Sequence, residues 1–160
     1  MTRIVLADDH KIVRDGLKRI LAATTDLQVV DEAADGDALL RLVKAADYDL
    51  AVIDMSMPGL AGIDLIKRLK SEKPKLRVLV LSMHGESQYA ARALKAGASG
   101  YLNKDSAAEQ LVGAIRKIGA GGVHISEAAA ASLVAARMRF RPSRTILWSS
   151  ASTMRVIPEP

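Results

Sequence analysis

Up to about residue 120 the sequence predicts a doubly wound α/β domain, a five-stranded parallel sheet with helices on both faces. Short β-rich runs at 3–7, 28–33, 50–54, 77–82 and 99–102 alternate with amphipathic segments of helical period. Runs such as Val78-Leu79-Val80-Leu81 are too continuously apolar for a sheet with one wet face. Right-handed crossovers between parallel strands then leave the doubly wound arrangement.

The elements follow in order. Ile4-Val5-Leu6-Ala7 is the first strand and runs into Asp8-Asp9. Val13, Leu17, Ile20 and Leu21 then fall at i, i+4, i+7 and i+8, the stripe of a helix facing a core. After strand 28–33, Gly36 opens a helix at about 37–46. Leu50-Ala51-Val52-Ile53 is the third strand; it ends at Asp54, and Pro58-Gly59 turns the chain into a helix at 61–72. Pro74 closes that helix, the fourth strand ends at Ser82, and Gly85 and Gly97 bracket a helix at 86–96. The fifth strand leads to Lys104, and Leu111, Val112, Ile115 and Ile118 form the stripe of the last helix. Past Gly119-Ala120-Gly121-Gly122 the character changes. The predicted organisation is a domain over 1–122, a linker helix over 123–138 and a basic, largely unstructured tail over 139–160.

Hydrophobic residues make up 49% of the chain and aromatics only 3%, so the core is aliphatic. There is no cysteine, which removes disulfides, thiolate metal sites and thiol chemistry. No apolar run reaches the ~20 residues of a spanning helix, and Met1-Thr2-Arg3-Ile4 enters a strand without a signal-peptide pattern. These features predict a cytoplasmic protein with no membrane partner. The net charge of +5 is uneven: residues 1–126 carry +2 and residues 127–160 carry +3, from five arginines against Glu127 and Glu159.

In a doubly wound sheet, ligands bind beyond the carboxyl ends of the strands. That edge would hold Asp8 and Asp9 after strand one, Asp54 after three, Ser82 after four and Lys104 after five. Three carboxylates together repel and gain nothing for stability. They suit a cation, and an all-oxygen set with room for water suits Mg²⁺ rather than zinc. Taken singly, Asp8-Asp9 reads as a helix cap, Asp54 as a turn carboxylate, Ser82 as an ordinary loop hydroxyl and Lys104 as a solvated lysine. Taken together they suit phosphoryl transfer to a carboxylate, an acyl phosphate being a recognised covalent intermediate. Asp54 would be the acceptor, while Lys104 and the Ser82 hydroxyl would cover phosphoryl oxygens.

The pieces Val5-Leu6-Ala7-Asp8-Asp9-His10, Asp54-Met55-Ser56-Met57-Pro58-Gly59, Val80-Leu81-Ser82 and Gly100-Tyr101-Leu102-Asn103-Lys104-Asp105 carry a family resemblance. In order and spacing the chain resembles the receiver domain of bacterial two-component response regulators, of the NarL/FixJ (LuxR) type. The resemblance implies a flavodoxin-like fold with strand order 2-1-3-4-5. It implies that Asp54 accepts a phosphoryl group from a sensor histidine kinase, so the chain is a phosphoacceptor rather than a multiple-turnover enzyme. It implies Mg²⁺ held directly by Asp9, Asp54 and the Ser56 backbone carbonyl, with Asp8 acting through water. Ser82 and Tyr101 would form a switch pair, the Tyr101 ring moving inward on phosphorylation and favouring a homodimer.

Asp105 stands where many receivers carry proline. His84 flanks the mouth of the site, and His10 is expected to point away from it as a first-turn helix residue. Full-length relatives continue through a linker near 120–145 into a helix-turn-helix, which would supply the DNA contact. Residues 139–160 are too few for such a domain and lack its pattern, so the output domain is expected to be absent or truncated.

Other α/β readings fit less well. A haloacid-dehalogenase-like phosphatase expects a second acid two residues after the nucleophile, where this chain has Ser56. A Rossmann domain expects a glycine-rich turn after strand one, where Asp8-Asp9-His10-Lys11 would repel phosphate. The arginines of the tail allow sequence-blind phosphate contacts, but a solvated tail accounts for them better.

Overall fold

The alternating periods fold as they predict. A computed structural model describes residues 1–83, 87–125, 150–151 and 154–155. Five strands, β1 (Thr2–Ala7), β2 (Leu27–Ala33), β3 (Leu50–Asp54), β4 (Arg77–Ser82) and β5 (Gly100–Asn103), form one parallel sheet in the order β2-β1-β3-β4-β5. Between and after them lie α1 (Lys11–Ala22), α2 (Gly36–Ala45), α3 (Gly62–Glu72), α4 (Ser87–Lys95) and α5 (Ala107–Gly119), with a single turn of 3₁₀ helix at Lys104–Ser106.

Strand side chains alternate between two helical layers. Ile4, Leu6, Leu50, Val52, Leu79, Leu81 and Leu102 pack in one buried cluster with Leu17 and Leu21 of α1 and with Leu111, Ile115 and Ile118 of α5. The intervening residues, among them Val5, Ile53, Val78 and Val80, are equally buried on the other face, where α3 packs between α2 and α4. Burial on both faces is why β3 reads as Leu-Ala-Val-Ile without a polar break until Asp54.

Three local features fix the loops and strands at the carboxyl edge of the sheet. Asp35 caps α2 by accepting from the Ala38 amide at 2.8 Å. Gly36, the next residue, lets the loop after β3 come close: a Cβ there would lie 1.8 Å from the Leu60 carbonyl oxygen. Arg14 of α1 ties β1 to β2, donating to the Asp8 carbonyl at 2.7 Å and to Glu32 at 2.7 Å. Lys18 and Arg14 together hold the Glu32 carboxyl below the usual carboxylate range.

Met1–Ser126 and Glu127–Pro160 are two separate compact units. The predicted linker helix does not begin at residue 123: Val123–Ile125 is not helical, and His124 pairs with Gly100. The remainder of that helix, and His84, lie outside the described residues. Within the tail expected to lack structure, Ser150–Ala151 and Met154–Arg155 form a two-stranded antiparallel pair, β6 and β7. No helix among the described residues is long and apolar enough to cross a membrane.

Candidate functional site

All five strands point the same way, so their carboxyl ends share one edge, and the predicted acids meet there. Asp8 follows β1, Asp54 ends β3 next to it in the sheet, and both are 1% exposed. Ligand atoms of Asp8, Asp9, His10 and Asp54 all lie within 4.8 Å of one another. Lys104, one residue past β5, reaches across β4 to the pair. Its Nζ lies 3.0 Å from Asp8 Oδ2 and 3.0 Å from Asp54 Oδ1. Burial alone would pull the Lys104 ammonium down, but its hydrogen bonds to Asp54 and Asp8, with their charges, hold it above the ordinary lysine value. It is fully charged at neutral pH.

The two oxygens of Asp54 have unequal surroundings. Oδ1 faces Lys104 Nζ and accepts from the Ser56 amide and the Ser56 hydroxyl, each at 3.3 Å. Oδ2 is buried and accepts from nothing among the described residues. A buried, unpartnered carboxylate oxygen is rare and costly in a fold built only for stability. Asp8 is the opposite case. Its Oδ1 accepts from the His10 amide at 2.8 Å and its Oδ2 takes Lys104, so both oxygens are engaged. Asp9 is more open, with 29% of its side chain exposed.

His10 departs from expectation. It is the N-cap of α1, not a residue of its first turn, and it does not point away. Its Nδ1 lies 3.3 Å from Asp8 Oδ1 and 3.1 Å from Asp9 Oδ1, and its side chain makes no cap hydrogen bond to α1. Ser56 also has a feature that sequence reasoning missed, because its hydroxyl, and not only its backbone, contacts the acceptor.

Ser82 ends β4, buried at 3% exposure and in register with Asn103, which precedes Lys104. Tyr101 lies on β5 opposite Val80. Its ring is already buried, at 8% exposure, and not in the outward position expected before phosphorylation.

Residues 4–116 match the family described as the response regulator receiver domain. The chain belongs to that family. This receiver is 37% identical over 123 residues to the transcriptional regulatory protein DegU of Brevibacillus brevis, covering 77% of this chain and 52% of that protein. It is 35% identical over 144 residues to the response regulator GacA of Pseudomonas aeruginosa, covering 90% of this chain and 66% of the relative. The chain therefore spans between half and two thirds of these relatives' length. Among solved structures it resembles a LuxR-family two-component response regulator from Aurantimonas, with a TM-score of 0.79 and 37% identity over 86% of this chain and 99% of that one. The five-strand order of the sheet is the receiver order, and the family's work is two-component phosphorelay signalling.

Proposed function

We propose that Asp54 accepts a phosphoryl group through Oδ2 from a phosphohistidine of a sensor kinase, and that the domain relays this event to a transcriptional output. The observation that carries the reading is the asymmetry of Asp54. Oδ1 is pinned by Ser56 and Lys104, whereas Oδ2 is buried without a partner. Attack by Oδ2 on phosphorus forms the acyl phosphate as the bond from phosphorus to the donor nitrogen breaks, and the imidazole leaves with that electron pair. Lys104 and the Ser82 hydroxyl, both on the same edge, would receive the non-bridging oxygens of the new dianion. The turnover this supports is slow and single: the chain promotes its own phosphorylation and the later hydrolysis.

The donor set fits Mg²⁺. It is rich in carboxylate oxygen, and Lys104 pairs with only Asp8 and Asp54 of the three acids, which leaves negative charge uncompensated. Asp9, Asp54 and the Ser56 carbonyl would hold the ion directly and Asp8 through water, because both Asp8 oxygens are already engaged within the protein. When bound, the ion supplies neutralising charge between the acceptor and the incoming phosphoryl oxygens.

A dianion on Asp54 would hold Ser82 inward by a charge-assisted hydrogen bond and retain the Tyr101 ring behind it. The face of α4, β5 and α5, with Arg92 stacked 5.9 Å over the Tyr89 ring, would then be fixed in one form and favour a symmetric homodimer. DNA contact would come from an output domain, and the setting is cytoplasmic.

Radiolabelled acetyl phosphate separates this reading from a phosphatase. One acid-stable, base-labile label per chain, dependent on Mg²⁺, supports the acceptor. Sustained release of phosphate over many turnovers would point to the phosphatase instead.

A further inference from the structure

The chain does not leave the domain at the end of α5. Gly121 adopts φ +95°, and its amide donates to the Ile118 carbonyl at 2.9 Å. The Gly122 amide donates to the Lys117 carbonyl at 2.9 Å, and a Cβ on Gly122 would lie 3.0 Å from that same oxygen. This double turn sends the next residues back along β5, which pairs with β4 on one side and is otherwise an edge strand. The His124 amide donates to the Ser99 carbonyl at 3.1 Å, and the Tyr101 amide donates to the His124 carbonyl at 2.9 Å, a parallel bridge opposite Gly100. A Cβ on Gly100 would lie 3.1 Å from the His124 carbonyl oxygen and 2.8 Å from Ile118, so glycine there gives the strap its room.

Tyr101 thus has two attachments. Its ring is buried inside the domain and its amide holds the strap. Beside it lies a cavity of about 290 Å³ whose walls include Gln110 and Ser106 of the α5 side and His124 and Ile125 of the strap. A ring swung out of the interior into that space meets the strap. Two hydrogen bonds on an edge are a weak attachment, of the kind that opens locally and is easily biased.

We propose that Gly121–Ile125 is a strap whose docking on β5 is coupled to the position of the Tyr101 ring, docked when the ring is inward and released when it swings out. The strap therefore passes the state of Asp54 to whatever follows residue 125. This rests on the acceptor reading above, and adds the route by which the switch leaves the domain.

Amide hydrogen exchange on the full chain tests it, with Mg²⁺ and with or without beryllofluoride, a phosphoryl mimic. Protection of the Tyr101 and His124 amides should rise together by about tenfold, within the usual range of coupling. Ser82→Ala should remove that rise. His124→Pro deletes the strap's donor and should leave Tyr101 unprotected in both states, while the Met55 and Ser56 amides still respond to beryllofluoride. His124→Ala keeps both main-chain bonds and should behave as wild type. If Met55 and Ser56 respond while Tyr101 and His124 do not, the strap proposal is overturned and the acceptor reading stands. If none of the four responds, the acceptor reading fails and the strap proposal falls with it. Loss of protection in His124→Ala equal to that in His124→Pro would overturn the main-chain account.

Discussion

Lys104 is the cation on which two buried carboxylates depend, and replacing it by methionine measures that dependence. Each pair is 3.0 Å apart. At an effective dielectric of about 20, each attraction is about 5 kcal/mol before desolvation is subtracted. Asp8 and Asp54 are 1% exposed and stay buried after the substitution, now facing one another without an ammonium. Removing one partner from a buried ion pair destabilises by about 3–5 kcal/mol, because the remaining charge is uncompensated. For a domain whose total stability is about 5–15 kcal/mol, this is a large share. Urea unfolding followed by far-ultraviolet circular dichroism, in EDTA, reads it as a midpoint lower by about 2 M for a slope near 2 kcal/mol/M. Saturating Mg²⁺ should recover more stability in Lys104→Met than in wild type, because the ion then neutralises acids that nothing else does. A Lys104→Met midpoint equal to wild type in EDTA would refute the charge accounting on which the site description rests.

Asp9→Ala should weaken Mg²⁺ binding more than Asp8→Ala, by calorimetric titration, because the Asp8 oxygens are already taken by His10 and Lys104; equal losses would contradict the direct role of Asp9. Asp8→Ala should in addition lower the unfolding midpoint, since it strips Lys104 of a partner. Gly36→Ala should unfold the domain or lower its melting temperature by many degrees, because the added Cβ would meet the Leu60 carbonyl at 1.8 Å. Tyr48 is buried and donates to Asp31 at 2.6 Å, which pushes its hydroxyl up to about 12 from 10.0. Its protonated form therefore adds stability that is complete below pH 10 and is lost as the pH climbs to about 12. Tyr48→Phe should flatten the fall in melting temperature over that window, and an unchanged slope would contradict the assignment.

The fold was legible because its signals are local. Continuous apolar runs and 3.6-residue stripes marked every strand and helix of the sheet domain to within a residue or so at most boundaries, for instance β3 at Leu50–Asp54 and α3 at Gly62–Glu72. The convergence of Asp8, Asp54, Ser82 and Lys104 was legible for a topological reason: parallel strands put all their carboxyl ends on one edge. What the sequence hid depends on partners distant in the chain. That Lys104 bridges Asp8 as well as Asp54 follows from a side chain reaching over β4, which no spacing encodes. His10 faces the acids because it is the N-cap that precedes α1, its Nδ1 3.3 Å from Asp8 and 3.1 Å from Asp9, a placement that the helical period does not encode. The return of Val123–Ile125 onto β5 leaves no period in the sequence, since a single bridge is too short to have one. The glycines at 121 and 122 mark a turn but not where the chain goes next.

Under the proposed function Asp54, and neither of the neighbouring acids, would take the phosphoryl group, because of the three only its Oδ2 is buried without a partner among the described residues. Peptide-resolved mass spectrometry after incubation with acetyl phosphate and Mg²⁺ tests it most directly. One phosphoryl group per chain is expected, on the peptide containing Asp54, with no uptake by Asp54→Ala, whose circular dichroism should match wild type. Uptake by Asp54→Ala at the wild-type level, or a phosphoryl group on Asp8 or Asp9 in the wild-type protein, would contradict it.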